Sequence, residues 1–317
     1  MPVTAYAPQS GPRPAKARST VLIGLINNMP DTALQATENQ FASLLVAAAG
    51  GHEVLVANAS LSGLPRGEAA RKHIEANYWT IDQLLRQRPE ALIVTGTEPR
   101  APDLTDEPYW SQLSALIDWA DANTVSSIWS CLAAHAVTQR FDGVRRRRLP
   151  EKCCGVYTCS IEPGTWLGLG LGNSLPTPHS RWNDLPGDQL AAKGYAIFSQ
   201  STAGGVNIFI RKARSIFLGL QGHPEYDDRA LLKEYQRDVG RFLSGEHAGY
   251  PTVPHGYFSA ESTALLEEYR ARAIAAPRSE MLQDFPYMAC AATLSNTWTA
   301  GAIHLYRNWL EFIRLDK

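Results

Sequence analysis

From Val21 onwards the chain repeats one pattern: a short apolar, β-rich run, a turn, then a longer stretch with apolar residues at helical spacing. Val21–Ile26 is apolar throughout and stops at Asn27-Asn28-Met29-Pro30, which reads as a strand buried on both faces. Thr37-Glu38-Asn39-Gln40 then opens a helix over Phe41–Ala49, closed by Gly50-Gly51. His52–Ala57 is a second strand, Tyr78–Arg88 a helix and Glu90–Thr95 a third strand ending at Gly96. Tyr109–Ala122 carries Trp110, Leu113, Leu116, Ile117 and Trp119 mostly on one stripe, the mark of an amphipathic helix. Val125–Ser130, a fourth strand, runs straight into Cys131 and the small-residue helix start Leu132-Ala133-Ala134. Strands alternating with helices at this spacing predict an α/β fold, a doubly wound and mostly parallel sheet with flanking helices.

After Pro150 the texture changes. Thr165–Gly172, Gly194–Ser199, Val206–Arg211 and Ser215–Gly219 read as antiparallel strands of the same domain. A helix follows over Arg229–Phe242, then a loop over 244–260 and helices over Ser262–Ala275 and Gly301–Leu315. Met1–Arg18 has four prolines and few large apolar residues, so 1–18 is expected to be a disordered leader. The remainder, 19–317, is expected to be one domain with a C-terminal helical extension.

Composition narrows the function. The chain has 317 residues, 44% of them apolar, with a formal charge of −1, enough for a large core and without the charge that draws nucleic acid or a membrane surface. No stretch approaches the ~20 continuous apolar residues of a membrane helix. Five cysteines without metal-ligand spacing predict free thiols in a reducing cytoplasm and no metal site. Arg145–Arg148, the one basic run, reads as a solvated loop, with attraction of a coenzyme's phosphates as the alternative.

The chemistry centres on two strand ends. A cysteine where a strand gives way to a helix is lifted above the sheet edge, close to orphan N–H groups and the positive end of the helix dipole. Cys131 stands there, with small residues behind it. The second strand end is Ile216–Leu220, followed by Gln221-Gly222-His223-Pro224-Glu225. There His223 can act as a base, and Glu225, two residues on, can hold its tautomer.

These residues resemble the homoserine O-acyltransferase family, the homoserine O-succinyltransferase and acetyltransferase group. The likeness runs from about Val21 to Leu315 and is carried by Asn28-Met29-Pro30, Thr37–Gln40, Leu92–Gly96, Tyr109-Trp110, Gly155-Val156-Tyr157, Pro178–Arg181, Gly222–Asp227, Arg237–Val239 and Asn308–Leu310. It implies a class I glutamine-amidotransferase-like fold, three-layered in the flavodoxin manner. It also implies a ping-pong reaction in which Cys131 takes an acyl group from acyl-CoA, a co-substrate, and passes it to an amino acid hydroxyl. No bound cofactor is implied. On the same resemblance His223 is the base, Glu225 orients it, and the Leu132 N–H helps hold the oxyanion. Arg237 meets the amino acid carboxylate, Glu234, Ser180 and Arg181 belong to the substrate pocket, and a homodimer is implied.

The chain also departs from the family pattern. Asp31-Thr32 replaces a usual pair of lysines, Leu132 a usual tryptophan, and His135 a usual glutamine; His135 is expected to pack rather than to act as a second base. At the position that separates succinyl from acetyl donors stands Arg100, whose charge suits a dicarboxylic acyl group. Cys153, Cys154 and Cys159 are expected to be packing thiols. A serine O-acyltransferase, an amidotransferase-like hydrolase and a non-catalytic binding protein remain alternatives on the same fold.

Overall fold

A computed structural model describes residues 3–10 and 20–316. Among these residues ten strands form one sheet: β1 Val3–Ala5, β2 Val21–Ile26, β3 Val54–Ala59, β4 Ala91–Val94, β5 Ser126–Ser130, β6 Arg147–Ile161, β7 Ser174–Asp184, β8 Ala196–Ser201, β9 Gly205–Lys212 and β10 Ile216–Leu220. Their spatial order is β1-β3-β2-β4-β5-β10-β9-β8-β6-β7. The pairings from β1 to β10 are parallel, and those from β10 out to β7 antiparallel. This is the doubly wound, mostly parallel sheet with flanking helices that the alternation predicts.

The two faces follow from the two-residue period of a strand. Along β2, Leu22 and Ile26 enter one core with Leu84, Leu113 and Val137 from helices on that side. Val21, Ile23 and Leu25 enter the other, with Phe41 and Leu45 from helix Leu34–Ala48 and Trp309 from helix Thr299–Leu315. A third cluster gathers helices Ala230–Leu243 and Ala260–Ala275 over Cys154 and Val156 of β6. The C-terminal helix is tied to the sheet by more than packing. Trp309 Nε1 donates to Ser126 Oγ at 3.0 Å, and that hydroxyl donates to the Ile216 carbonyl at 2.8 Å, spanning β5 and β10.

Several expectations are corrected. The leader is ordered over its first described part: Val3–Ala5 pairs with Val54–Val56, and Tyr6 packs on Trp79 and accepts from its Nε1 at 2.6 Å. Three extended residues suffice because β3 would otherwise be an open edge. Residues 1, 2 and 11–18 of that expected leader lie outside the described residues. Thr165–Gly172 is not a strand; it turns through a short helical segment, Trp166–Gly168. There Gly170 sits at φ +71°, and the Asn308 amide donates to the Leu167 and Leu169 carbonyls at 2.9 and 2.7 Å. The strands the sequence conceals are β6 and β7, while Glu68–Asn77 is a helix that buries only Ala70 and so shows no apolar stripe. The expected helix Tyr78–Arg88 shrinks to Ile81–Arg86, set by a capping box between Thr80 and Gln83. Arg147 and Arg148 of the basic run open β6 instead of lying in a loop.

Trp309 is fully buried on the sheet. Trp309→Ala is expected to lower stability by about 3–5 kcal/mol, the range for a buried aromatic cut to alanine. Chemical denaturation followed by circular dichroism would measure it.

Candidate active site

β5 and β10 are neighbouring parallel strands in register, Ser130 opposite Leu220, so the residues that follow each strand emerge side by side at its carboxyl end. Cys131 follows β5 directly and heads helix Leu132–Asp142. Its backbone has φ +53° and ψ −116°, a conformation that costs a non-glycine residue about 1–3 kcal/mol. The surroundings enforce it: Cys131 N–H donates to the Leu220 carbonyl at 2.6 Å, and its own carbonyl accepts from Ala134 at 3.0 Å. Leu132 is the first helical residue, so its N–H has no partner within the helix. Gly96, after β4, lies against it: a Cβ there would be 3.0 Å from the Leu132 nitrogen. The glycine keeps the space before that donor open. Of the five cysteines only Cys131 is not buried. Burial pushes the Cys154 thiol up to about 12 and the Cys159 thiol up to about 11, as suits packing thiols.

His223 comes off β10 through Gln221 and Gly222. Its N–H donates to the Pro178 carbonyl at 2.7 Å, locking this turn to β7. A Cβ at Gly222 would come within 2.5 Å of Thr177 and 2.6 Å of Asn207, so only glycine lets the turn approach so closely. His223 Nδ1 lies 2.8 Å from Glu225 Oε1, and the Cys131 sulfur contacts the same imidazole. The ring stacks on Tyr226 at 4.4 Å. Burial by itself would lower the imidazole's pKa. Glu225 and Cys131 overcome it and hold His223 well above the ordinary histidine range. His135 is the opposite case: it is enclosed, its Nε2 faces Gln221 Oε1 at 3.1 Å, and burial drops its pKa to about 3. It is neutral at physiological pH.

The strand ends open into a cavity of about 630 Å³. Its far wall holds a charge cluster from helix Ala230–Leu243 and β6. Glu234 accepts from Ser180 Oγ and, at 2.6 Å, from the Tyr226 hydroxyl. Lys152 Nζ sits 2.6 Å from Asp238 and 3.6 Å from Glu234. Arg237, half exposed, lies 3.0 Å from Asp238 and 3.9 Å from Glu234. Burial opposes charge on both acids, but Lys152 and Arg237 keep the Glu234 and Asp238 carboxyls below their usual range, so both are ionised at neutral pH.

The fold thus brings together Cys131, His223, Glu225, Leu132, Ser180, Glu234 and Arg237. Arg181 borders the same cavity but uses its guanidinium on its own edge of the sheet, and Arg100 lies outside it. Arg181 is buried, with its guanidinium committed to Asp184 at 2.9 Å and to the Asn183 and Gly204 carbonyls, so it braces the β7 edge. Arg100 lines a neighbouring cavity of about 460 Å³ that borders the first along Pro30 and Thr97–Pro99. Asp31 turns to Gly67 N–H at 2.7 Å and Arg66 at 3.2 Å. Sequence reasoning missed Lys152, since nothing local separates it from the basic run before it. It also left Tyr226 and Asp238 without roles, although both stand in motifs it singled out.

Because folding raises the His223 pKa above its ordinary value near 6.5, its contribution to stability is complete below about pH 6.5 and is lost as pH rises through the raised midpoint. Imidazole NMR is expected to show His223 titrating above 6.5 in the wild type and at lower pH in Glu225→Gln. A wild-type midpoint at or below 6.5 would contradict the pairing described.

The fold matches a glutamine amidotransferase of Methylobacillus flagellatus at a TM-score of 0.51 and 17% identity, over 93% of this chain and 95% of that one. The model of the family described as homoserine O-succinyltransferase matches residues 13–317. Proteins of that name are 46% identical in Rhodopseudomonas palustris, over 95% of this chain and 90% of theirs, and 42% identical in Bradyrhizobium japonicum, over 98% and 95%. With the family model matched over almost its whole length, the chain belongs to the homoserine O-succinyltransferase family.

Proposed function

We propose that the protein transfers a succinyl group from succinyl-CoA to the hydroxyl of L-homoserine through a thioester on Cys131. The observation that carries this reading is the pairing of a strained, accessible cysteine and a carboxylate-held imidazole with a cavity wall bearing two cations and two carboxylates. Such a wall complements an α-amino acid: Arg237 meets its carboxylate and Glu234 its ammonium group.

In the first half-reaction the Cys131 sulfur attacks the thioester carbonyl carbon, and the oxyanion forms against the Leu132 N–H. The carbon–sulfur bond to CoA then breaks, and the CoA thiolate takes the proton that the raised pKa keeps on His223. Now neutral, His223 accepts the homoserine hydroxyl proton as that oxygen attacks the Cys131 thioester. The Cys131 thiolate leaves, and the resting pair returns. Glu225 holds Nδ1–H through both halves, so Nε2 is the nitrogen that trades protons with substrate.

Intact-protein mass spectrometry after mixing with succinyl-CoA is expected to show one succinyl adduct, absent in Cys131→Ala and discharged by L-homoserine rather than L-serine. His223→Ala is expected to lower kcat/KM by at least about a hundredfold, the lower end of general acid–base contributions. No adduct from either succinyl-CoA or acetyl-CoA would overturn the reading.

A further inference from the structure

We infer that Trp182 and Arg148, at the rim of the Cys131 cavity, form the seat for the nucleotide end of the donor's coenzyme A. This rests on the acyl-thioester reading above. The rim is built by the β6–β7 hairpin, the outer edge of the sheet, where Arg148 pairs with Asn183 and the register shifts between Arg148 and Cys153. A bulge of this kind re-aims side chains and is frequent beside active sites.

The four arginines of the basic run divide their duties. Arg145 pairs with Asp103 at 3.1 Å, Arg146 donates to the Ala101 and Pro102 carbonyls, and Arg147 pairs with Asp184 at 3.0 Å. Arg148 has no carboxylate partner among the described residues and instead lies 4.9 Å from the centre of the Trp182 ring. The other cations lining the cavity are matched: Lys152 and Arg237 by Asp238, Arg181 by Asp184, and Arg241 by Glu98 and Glu246. Arg148 is therefore the cavity cation left for an outside anion.

Trp182 is the second half of the seat. Of eight tryptophans it is the one left exposed, with 38% of its surface accessible. A single exposed aromatic is ordinary. An exposed indole with an unmatched guanidinium over one face, at the rim of the cavity that holds Cys131 and His223, has the parts that bind a purine and its phosphates. The free face suits stacking, and the planar guanidinium suits phosphate oxygens. The neighbouring cavity with Arg100 is the rival place, but Asp31, Glu98 and Glu107 line it and its aromatic, Tyr109, is buried.

The test compares kcat/KM for succinyl-CoA with that for the succinyl thioester of N-acetylcysteamine, which lacks the nucleotide, at fixed homoserine. Arg148→Ala and Trp182→Ala are each expected to cut the preference for the CoA thioester by at least about tenfold, mainly through KM, in line with losses for a stacked base. Trp182→Phe is expected to restore most of it. Calorimetry with adenosine 3′,5′-bisphosphate is expected to show weakened binding to the two alanine variants. An unchanged preference and unchanged nucleotide binding in both would overturn the seat. A loss in Arg100→Ala instead would move the nucleotide to the neighbouring cavity and overturn it equally. If wild-type Cys131 is acylated by neither thioester, the acyl-thioester reading itself falls; acylation by both with an untouched preference sinks the seat alone.

Discussion

The site depends on the parallel pairing of β5 with β10. Ser130 lies opposite Leu220, and the Cys131 N–H is fixed to the Leu220 carbonyl, so one hydrogen-bonded register places Cys131 and the His223 turn beside each other. Some ninety residues of chain separate Cys131 from His223, and β6 to β9 fill that interval. A slip of one residue in this pairing would turn the strand side chains to the opposite faces and part the two groups. The support beneath is correspondingly stiff: Ser126 bonds β10 on one side and Trp309 on the other.

Around that register the polar groups are graded by what surrounds them. His223 and His135 are both enclosed, yet their protonation diverges. A carboxylate 2.8 Å from His223 makes the charged form the stable one, whereas His135 meets only a neutral amide and stays neutral. The charged wall of Glu234, Asp238, Lys152 and Arg237 follows the same logic. Each ion is stable in its partly buried place because an opposite charge lies within about 4 Å.

Substitutions away from the family pattern are absorbed locally. Asp31 ties its loop to Gly67 and Arg66. Leu132 keeps the backbone N–H that matters at the helix start, because that donor belongs to the backbone whatever the side chain. Arg181, assigned to the pocket by the resemblance, borders the cavity but commits its guanidinium to the β7 edge, while Ser180, its neighbour on the strand, turns towards Glu234.

The alternation of apolar runs and helical stripes determined the parallel half of the sheet, and the strand ends at Ser130 and Leu220, read together with the family resemblance, singled out Cys131 and His223 as candidates. Glu225 followed from its place two residues beyond the histidine. These are local signals, written within a few residues of the chain. The strand β1, the long β6–β7 edge, and the placement of Lys152, Arg148 and Trp182 around the cavity were decided only in the tertiary structure. Val3–Ala5 pairs because β3 offers an edge. β6 and β7 carry mixed polar and apolar residues because one hairpin must line a cavity and pack beneath helices. Lys152 has a role because two carboxylates from a helix about eighty residues later close on it. Periodicity records which face of an element is buried, and it cannot record which distant charge that face will meet.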